Sequence, residues 1–183
     1  AGNLQSWFVD VDFYRRLNLD LVMLDYRGFG KSSGRIESEA QLHGDVRAAW
    51  AQVAPPYAGR RRVLLGRSLG SGLVASLAAE VQPELTVLVS PYSSVAALAR
   101  EHYPWVPGAV LRYPLRTDEA LPRVRGRVLL VHGLRDTLIA PRHSEALLAL
   151  LPRAEWLPVP EAGHGDIHTH PAYRDGLAAA LSR

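Results

Sequence analysis

The stretch Arg61 to Gly72, Arg-Arg-Val-Leu-Leu-Gly-Arg-Ser-Leu-Gly-Ser-Gly, restricts the possible folds more than any other part of this chain. A short apolar run, Val63 to Leu65, ends in Gly66-Arg67-Ser68-Leu69-Gly70, and a stretch rich in small residues follows from Gly72 to Ala79. The pattern is strand, sharp turn, helix, with a serine at the apex. Gly66 and Gly70 fall where a strand-to-helix turn brings backbone segments so close that side chains would collide. Ser68 is therefore expected to stand above the strand end. The Leu69 amide is expected at a helix N-terminus, where partial positive charge favours an oxyanion. A Gly-x-Ser-x-Gly string also arises by chance in a Gly-rich chain, so its strand and helix context is what gives it meaning.

The rest of the chain repeats the alternation. Residues 3–17 place Leu4, Trp7, Phe8, Val11 and Tyr14 near helical spacing, with Asn3 as N-cap. Leu19 to Asp25 reads as a buried strand entering the Gly-rich loop Tyr26 to Gly34. Ser38-Glu39-Ala40-Gln41 has capping-box spacing ahead of a helix that Pro55-Pro56 stops. Leu85 to Val89 and Arg127 to Val131 are further buried strands. Residues 93–126 between them read as short helical pieces over the sheet. Pro141 opens a helix to about Leu151, Pro158 marks residues 155–159 as an edge strand, and a last helix spans Pro171 to Leu181. Strands alternating with helices, each strand an apolar run that ends in polar or glycine-rich sequence, predict an α/β domain with a mostly parallel sheet and helices on both faces. A single domain over residues 1–183 is expected, with a small cap over residues 91–126 between the third and fourth visible strands. Ligands of such sheets bind beyond the carboxyl ends of the strands.

Composition narrows the function. The net charge is +3, Lys31 is the only lysine, and the arginines are scattered rather than clustered on one face, so no nucleic-acid partner is expected. The one basic run, Arg60-Arg61-Arg62, reads as a solvated loop. With no cysteine there is no thiol nucleophile and no disulfide, which fits a reducing compartment, and a cytoplasmic location is the expectation. No run is long and apolar enough to span a bilayer. The chain begins Ala1-Gly2-Asn3 without an initiator Met, so an upstream segment is expected and membrane association through it stays open.

A serine hydroxyl is hardly ionised near neutral pH, so Ser68 needs a base. Of seven histidines, His164 in Glu161-Ala162-Gly163-His164-Gly165-Asp166 follows the last strand and can reach across the carboxyl edge. His132 reads instead as part of a buried backbone turn beside Gly133. The base must be held by an acid. Asp136, just beyond the preceding strand, is at the right edge. The order Ser68, Asp136, His164 is nucleophile, acid, base.

Taken together, Asp25-Tyr26-Arg27-Gly28-Phe29-Gly30-Lys31-Ser32, Gly66-Arg67-Ser68-Leu69-Gly70, Ser90-Pro91-Tyr92, His132-Gly133-Leu134-Arg135-Asp136 and Ala162-Gly163-His164 resemble serine hydrolases of the α/β-hydrolase superfamily. The nearest group holds serine-aminopeptidase-like and monoacylglycerol-lipase-like proteins and depalmitoylating thioesterases. The resemblance covers essentially the whole chain. It implies Ser68 as nucleophile, Asp136 as acid, His164 as base and the Leu69 amide as oxyanion donor. It also implies a segment ahead of Ala1 that carries a second oxyanion amide and a strand between the Leu21 and Val63 strands. Arg67 stands where the group more often has His or Tyr, and Gly165 where it often has Asn.

The expected activity is hydrolysis of carboxylic esters or thioesters of a small-molecule acyl substrate, without metal or organic cofactor. Tyr92, Tyr103 and Trp105 are candidates to line an acyl pocket or to pack on the sheet. Two alternatives stand beside it: a non-catalytic binding protein or scaffold of the same fold, and a peptidase. The run His164-Gly-Asp166-Ile-His168-Thr-His170 offers metal-ligand chemistry, but its spacing matches no metal motif.

Overall fold

Four strands, β1 (Val63–Arg67), β2 (Leu85–Val89), β3 (Arg127–Gly133) and β4 (Glu155–Val159), form one sheet in the computed structural model, which describes residues 3, 4, 11–105 and 111–183. Their order is β1-β2-β3-β4, and every neighbouring pair is parallel. The helices are α1 (Val11–Arg16), α2 (Glu39–Val53), α3 (Leu69–Val81), α4 (Val95–His102), α5 (Thr117–Ala120), α6 (Arg142–Leu150) and α7 (Pro171–Leu181).

Register explains why β2 and β3 read as mostly apolar runs. Val87 pairs with Leu129 and Val89 with Val131, and these odd-numbered side chains pack with α7 and with Phe13 and Tyr14 of α1. The even-numbered Leu88, Val128 and Leu130 face the other way, against Ala75 and Ala78 of α3 and Leu147 of α6. Alternation across the pleat is present, but both faces are covered, so apolar residues predominate on each. A third cluster beds α2 on α3 through Leu42, Val46, Leu73 and Leu77.

The local signals hold at α2 with one refinement. Ser38 Oγ accepts from Gln41 N–H at 3.1 Å, while the Gln41 side chain accepts from Glu37 N–H at 2.9 Å, so the reciprocal bond lands one residue ahead of the cap. Among the described residues β4 pairs on one side only, which is where Pro158 does no harm.

The strand expected over Leu19 to Asp25 does not form. Its residues are described but make no ladder, and Leu21, Val22 and Leu24 are 38%, 56% and 43% exposed. An apolar run becomes a strand only when its N–H and C=O groups find a neighbour, and among the described residues β1 pairs with β2 alone. The helix expected over residues 3–17 is described as α1 from Val11; Trp7 and Phe8 lie outside the described residues. No helix among the described residues is long and apolar enough to cross a membrane.

Candidate active site

All three residues of the expected Ser-Asp-His set follow the carboxyl end of a strand: Ser68 after β1, Asp136 after β3, His164 after β4. Ser68 N–H donates to Val89 O at 2.9 Å, extending the β1–β2 ladder by one residue, and α3 starts at Leu69. The turn between them is made at Ser68 itself, with φ 51° and ψ −124°, outside the regions that L-residues ordinarily occupy. Two donors hold this geometry: Ser71 N–H and Ser71 Oγ both bond to the Ser68 carbonyl, at 2.9 and 2.7 Å. Gly66 lets strand and helix meet, because a Cβ there would lie 2.6 Å from Gly70 O and 2.7 Å from Val74 Cβ. The Leu69 amide, first in the helix, has no intrahelical acceptor.

A continuous hydrogen-bonded chain links the three side chains. His164 Nε2 lies 3.0 Å from Ser68 Oγ, and His164 Nδ1 lies 2.8 Å from Asp136 Oδ2. A carboxylate only accepts, so Nδ1 carries the proton and Nε2 is left to accept from the serine hydroxyl. Ser68 and Asp136 are buried, and the His164 side chain is 19% exposed. A hydroxyl, an imidazole and a carboxylate in this series can draw off the hydroxyl proton and return it.

Asp136 is held from several sides. Its Oδ1 accepts from Leu138 N–H at 3.0 Å and Ile139 N–H at 2.8 Å. Burial alone raises a carboxyl pKa. Here the hydrogen bonds of His132, His164 and the Ile139 amide outweigh it and hold Asp136 far below the usual carboxylate range. His132 is not in a turn: it is the penultimate residue of β3, fully buried, with both ring nitrogens bonded. The sequence signal for it was its place four residues before Asp136 at the end of an apolar strand.

The loop that carries His164 is fastened at three points. Arg135 N–H donates to Ala162 O at 2.9 Å, and Asp166 Oδ1 accepts from Gly163 N–H at 2.8 Å. The Arg67 guanidinium donates to the His164 carbonyl, and its burial lowers the Arg67 pKa. Asp166 therefore closes a turn and faces His170 Nε2 at 3.4 Å; no group of side chains among the described residues is arranged to hold a metal ion.

The aromatic candidates separate. Tyr92 is 1% exposed, packs between α2 and α3, and donates its hydroxyl to Leu69 O at 2.9 Å, so it supports the serine turn from within the core. Tyr103 and Trp105 are on the surface, 57% and 75% exposed, in edge contact with centroids 5.9 Å apart.

Comparison with known proteins agrees with this architecture. The profile of the family described as serine aminopeptidase, S33, matches residues 12–116. The Mycobacterium tuberculosis protein Rv2307c is 35% identical over 156 residues, 82% of this chain and 54% of that protein. Human alpha/beta hydrolase domain-containing protein 17C is 29% identical over 184 residues, 99% of this chain and 54% of that protein. The chain thus spans about half the length of the curated relatives it matches. Among solved structures, a bromoperoxidase from Bacillus anthracis superposes with a TM-score of 0.77 at 17% identity, covering 99% of this chain and 88% of that one, a likeness of fold.

Proposed function

Because the chain belongs to the serine aminopeptidase S33 family of α/β-hydrolases, we propose that it is a serine hydrolase that cleaves esters or thioesters through an acyl-enzyme on Ser68. The observation that carries this reading is the chain of two bonds, 3.0 Å from Ser68 Oγ to His164 Nε2 and 2.8 Å from His164 Nδ1 to Asp136. His164 Nε2 takes the hydroxyl proton as Ser68 Oγ attacks the carbonyl carbon. The oxyanion forms against the Leu69 amide at the head of α3, where the helix dipole adds to the hydrogen bond. The imidazolium then protonates the departing alcohol or thiol, the tetrahedral centre collapses to an acyl ester on Ser68, and water enters by the same route in reverse. Asp136 stays ionised and keeps Nδ1 protonated throughout.

Apolar surface near the site favours an acyl chain over a peptide terminus. His102 Nε2 bonds to Leu138 O at 2.9 Å, tying the end of α4 to the loop that carries Asp136. Leu134 and Leu138, both exposed, lie in the loop that carries Asp136, and exposed Tyr103 and Trp105 follow the end of α4 that His102 ties to that loop. A fluorophosphonate probe tests the assignment. Labelling that disappears in Ser68→Ala and His164→Ala supports it. Labelling that survives Ser68→Ala overturns it, and no labelling of the wild-type chain favours a non-catalytic binding protein.

A further inference from the structure

Beside Asp136 lies a second buried imidazole that the acyl-transfer steps do not use. His132 has no exposed surface, yet both its ring nitrogens are bonded: Nδ1 to Ser144 Oγ at 2.7 Å, and Nε2 to the Ile139 carbonyl at 2.8 Å, with Asp136 Oδ2 at 3.5 Å. The carbonyl only accepts, so Nε2 carries a proton, and Nδ1 is left to accept from the Ser144 hydroxyl. The backbone of Ile139 is thereby held on both sides. Its N–H donates to Asp136 Oδ1 and its C=O accepts from His132.

We propose that His132, with its tautomer set by the Ile139 carbonyl and its Nδ1 satisfied by Ser144, is a positioning residue. It fixes the loop from Leu134 to Ile139 so that Asp136 presents Oδ1 to two backbone amides and Oδ2 to His164. This rests on Asp136 and His164 serving as acid and base. The relay runs from Ser144 in α6 through His132 in β3 to the acid, joining the packed helix layer to the reacting groups. Were Nδ1 to carry the proton instead, Nε2 would point a lone pair at two acceptors, and the loop would be pushed from the acid it orients. The ring also packs near Trp156, with centroids 6.4 Å apart, so its bonding has to be separated from its bulk.

Four variants make that separation: His132→Phe keeps a flat ring without a donor, His132→Gln keeps a donor without the ring, Ser144→Ala leaves the ring untouched, and Ser144→Thr retains the hydroxyl. The expected result on p-nitrophenyl esters is a fall in kcat of about 10- to 100-fold for His132→Phe, with KM changed less than about twofold, since the lost quantity is orientation. His132→Gln recovers most of the loss, Ser144→Ala loses kcat in the same sense, and Ser144→Thr does not. The low-field proton signal of His164 Nδ1–H, read by NMR without any substrate, is expected to weaken in His132→Phe and Ser144→Ala. The proposal is overturned if folded His132→Phe and Ser144→Ala keep wild-type kcat and the low-field proton, or if His132→Gln loses as much as His132→Phe. Should His132→Phe fail to fold, Ser144→Ala decides. Fluorophosphonate labelling that survives Ser68→Ala would instead be a failure of the acyl-transfer reading, and the proton signal still judges the positioning role.

Discussion

Arg67, the residue before Ser68, donates through its guanidinium to the main-chain carbonyl of His164, so the serine turn and the base loop are joined directly across the sheet edge. The cation is bonded to the backbone of the loop that carries His164. Arg67→Met is expected to lower kcat on p-nitrophenyl esters about tenfold, the worth of one buried charge-assisted bond. Neutral and anionic acyl esters should suffer alike. Steady-state kinetics on a matched pair, such as acetate and hemisuccinate esters, checks this, and a loss confined to the anionic ester would show that Arg67 binds substrate instead.

Ser68 occupies φ 51° and ψ −124°, a conformation in which a Cβ is strained by about 1–3 kcal/mol. Ser68→Gly and Ser68→Ala remove the same hydroxyl and its bond to His164, but only glycine relieves the backbone. Ser68→Gly should therefore be more stable than Ser68→Ala by about 1 kcal/mol in urea denaturation, with both inactive. Equal midpoints would mean that the turn carries no strain.

Much of this arrangement was legible because it is local. A strand end, a pair of glycines and a helix start are contiguous in Gly66 to Gly70, and the mostly apolar run 127–131 leads into the loop that carries Asp136. What was not legible depends on contacts between distant residues. Leu19 to Asp25 has the composition of a buried strand, but a strand is a pairing, and no ladder partner joins it among the described residues. The role of His132 hangs on Ser144 and Ile139, 12 and 7 positions away, and on burial that a single sequence does not state. Tyr92 was equally suited to a pocket wall or to packing, and only the position of its hydroxyl under Leu69 decides for packing.

Gly133 and Ala162 approach so closely that a Cβ on Gly133 would stand 2.4 Å from the Ala162 carbonyl oxygen. That carbonyl also accepts from Arg135 N–H, two residues ahead of His164 in the base loop. Gly133→Ala must push the loop outward, at a cost of about 1–3 kcal/mol in stability. Because the displaced segment carries His164, ester turnover should fall by more than the loss of folded protein explains. Chemical denaturation and kcat measured on the same sample separate the two effects.

The carboxyl of Asp136 tests which influence on a buried acid dominates. Burial raises its pKa, and the His132, His164 and Ile139 hydrogen bonds lower it; the bonds win, so the folded value lies below the unfolded value of about 3.9. A group depressed in this way stabilises the fold at pH above its unfolded value, and that contribution is lost as pH falls through the folded value. Asp136→Asn removes the charge while keeping the shape, and it also offers an amide donor to groups that need an acceptor. The variant should be less stable than wild type at pH 7, and the gap should narrow as pH drops below about 4. Urea midpoints from pH 7 to pH 3 follow that gap. If burial dominated, the folded acid would bind its proton more readily than the unfolded one, wild type would gain stability relative to Asp136→Asn as pH fell towards about 4, and the gap would widen rather than narrow, so the direction in which the gap changes with pH decides between the two accounts.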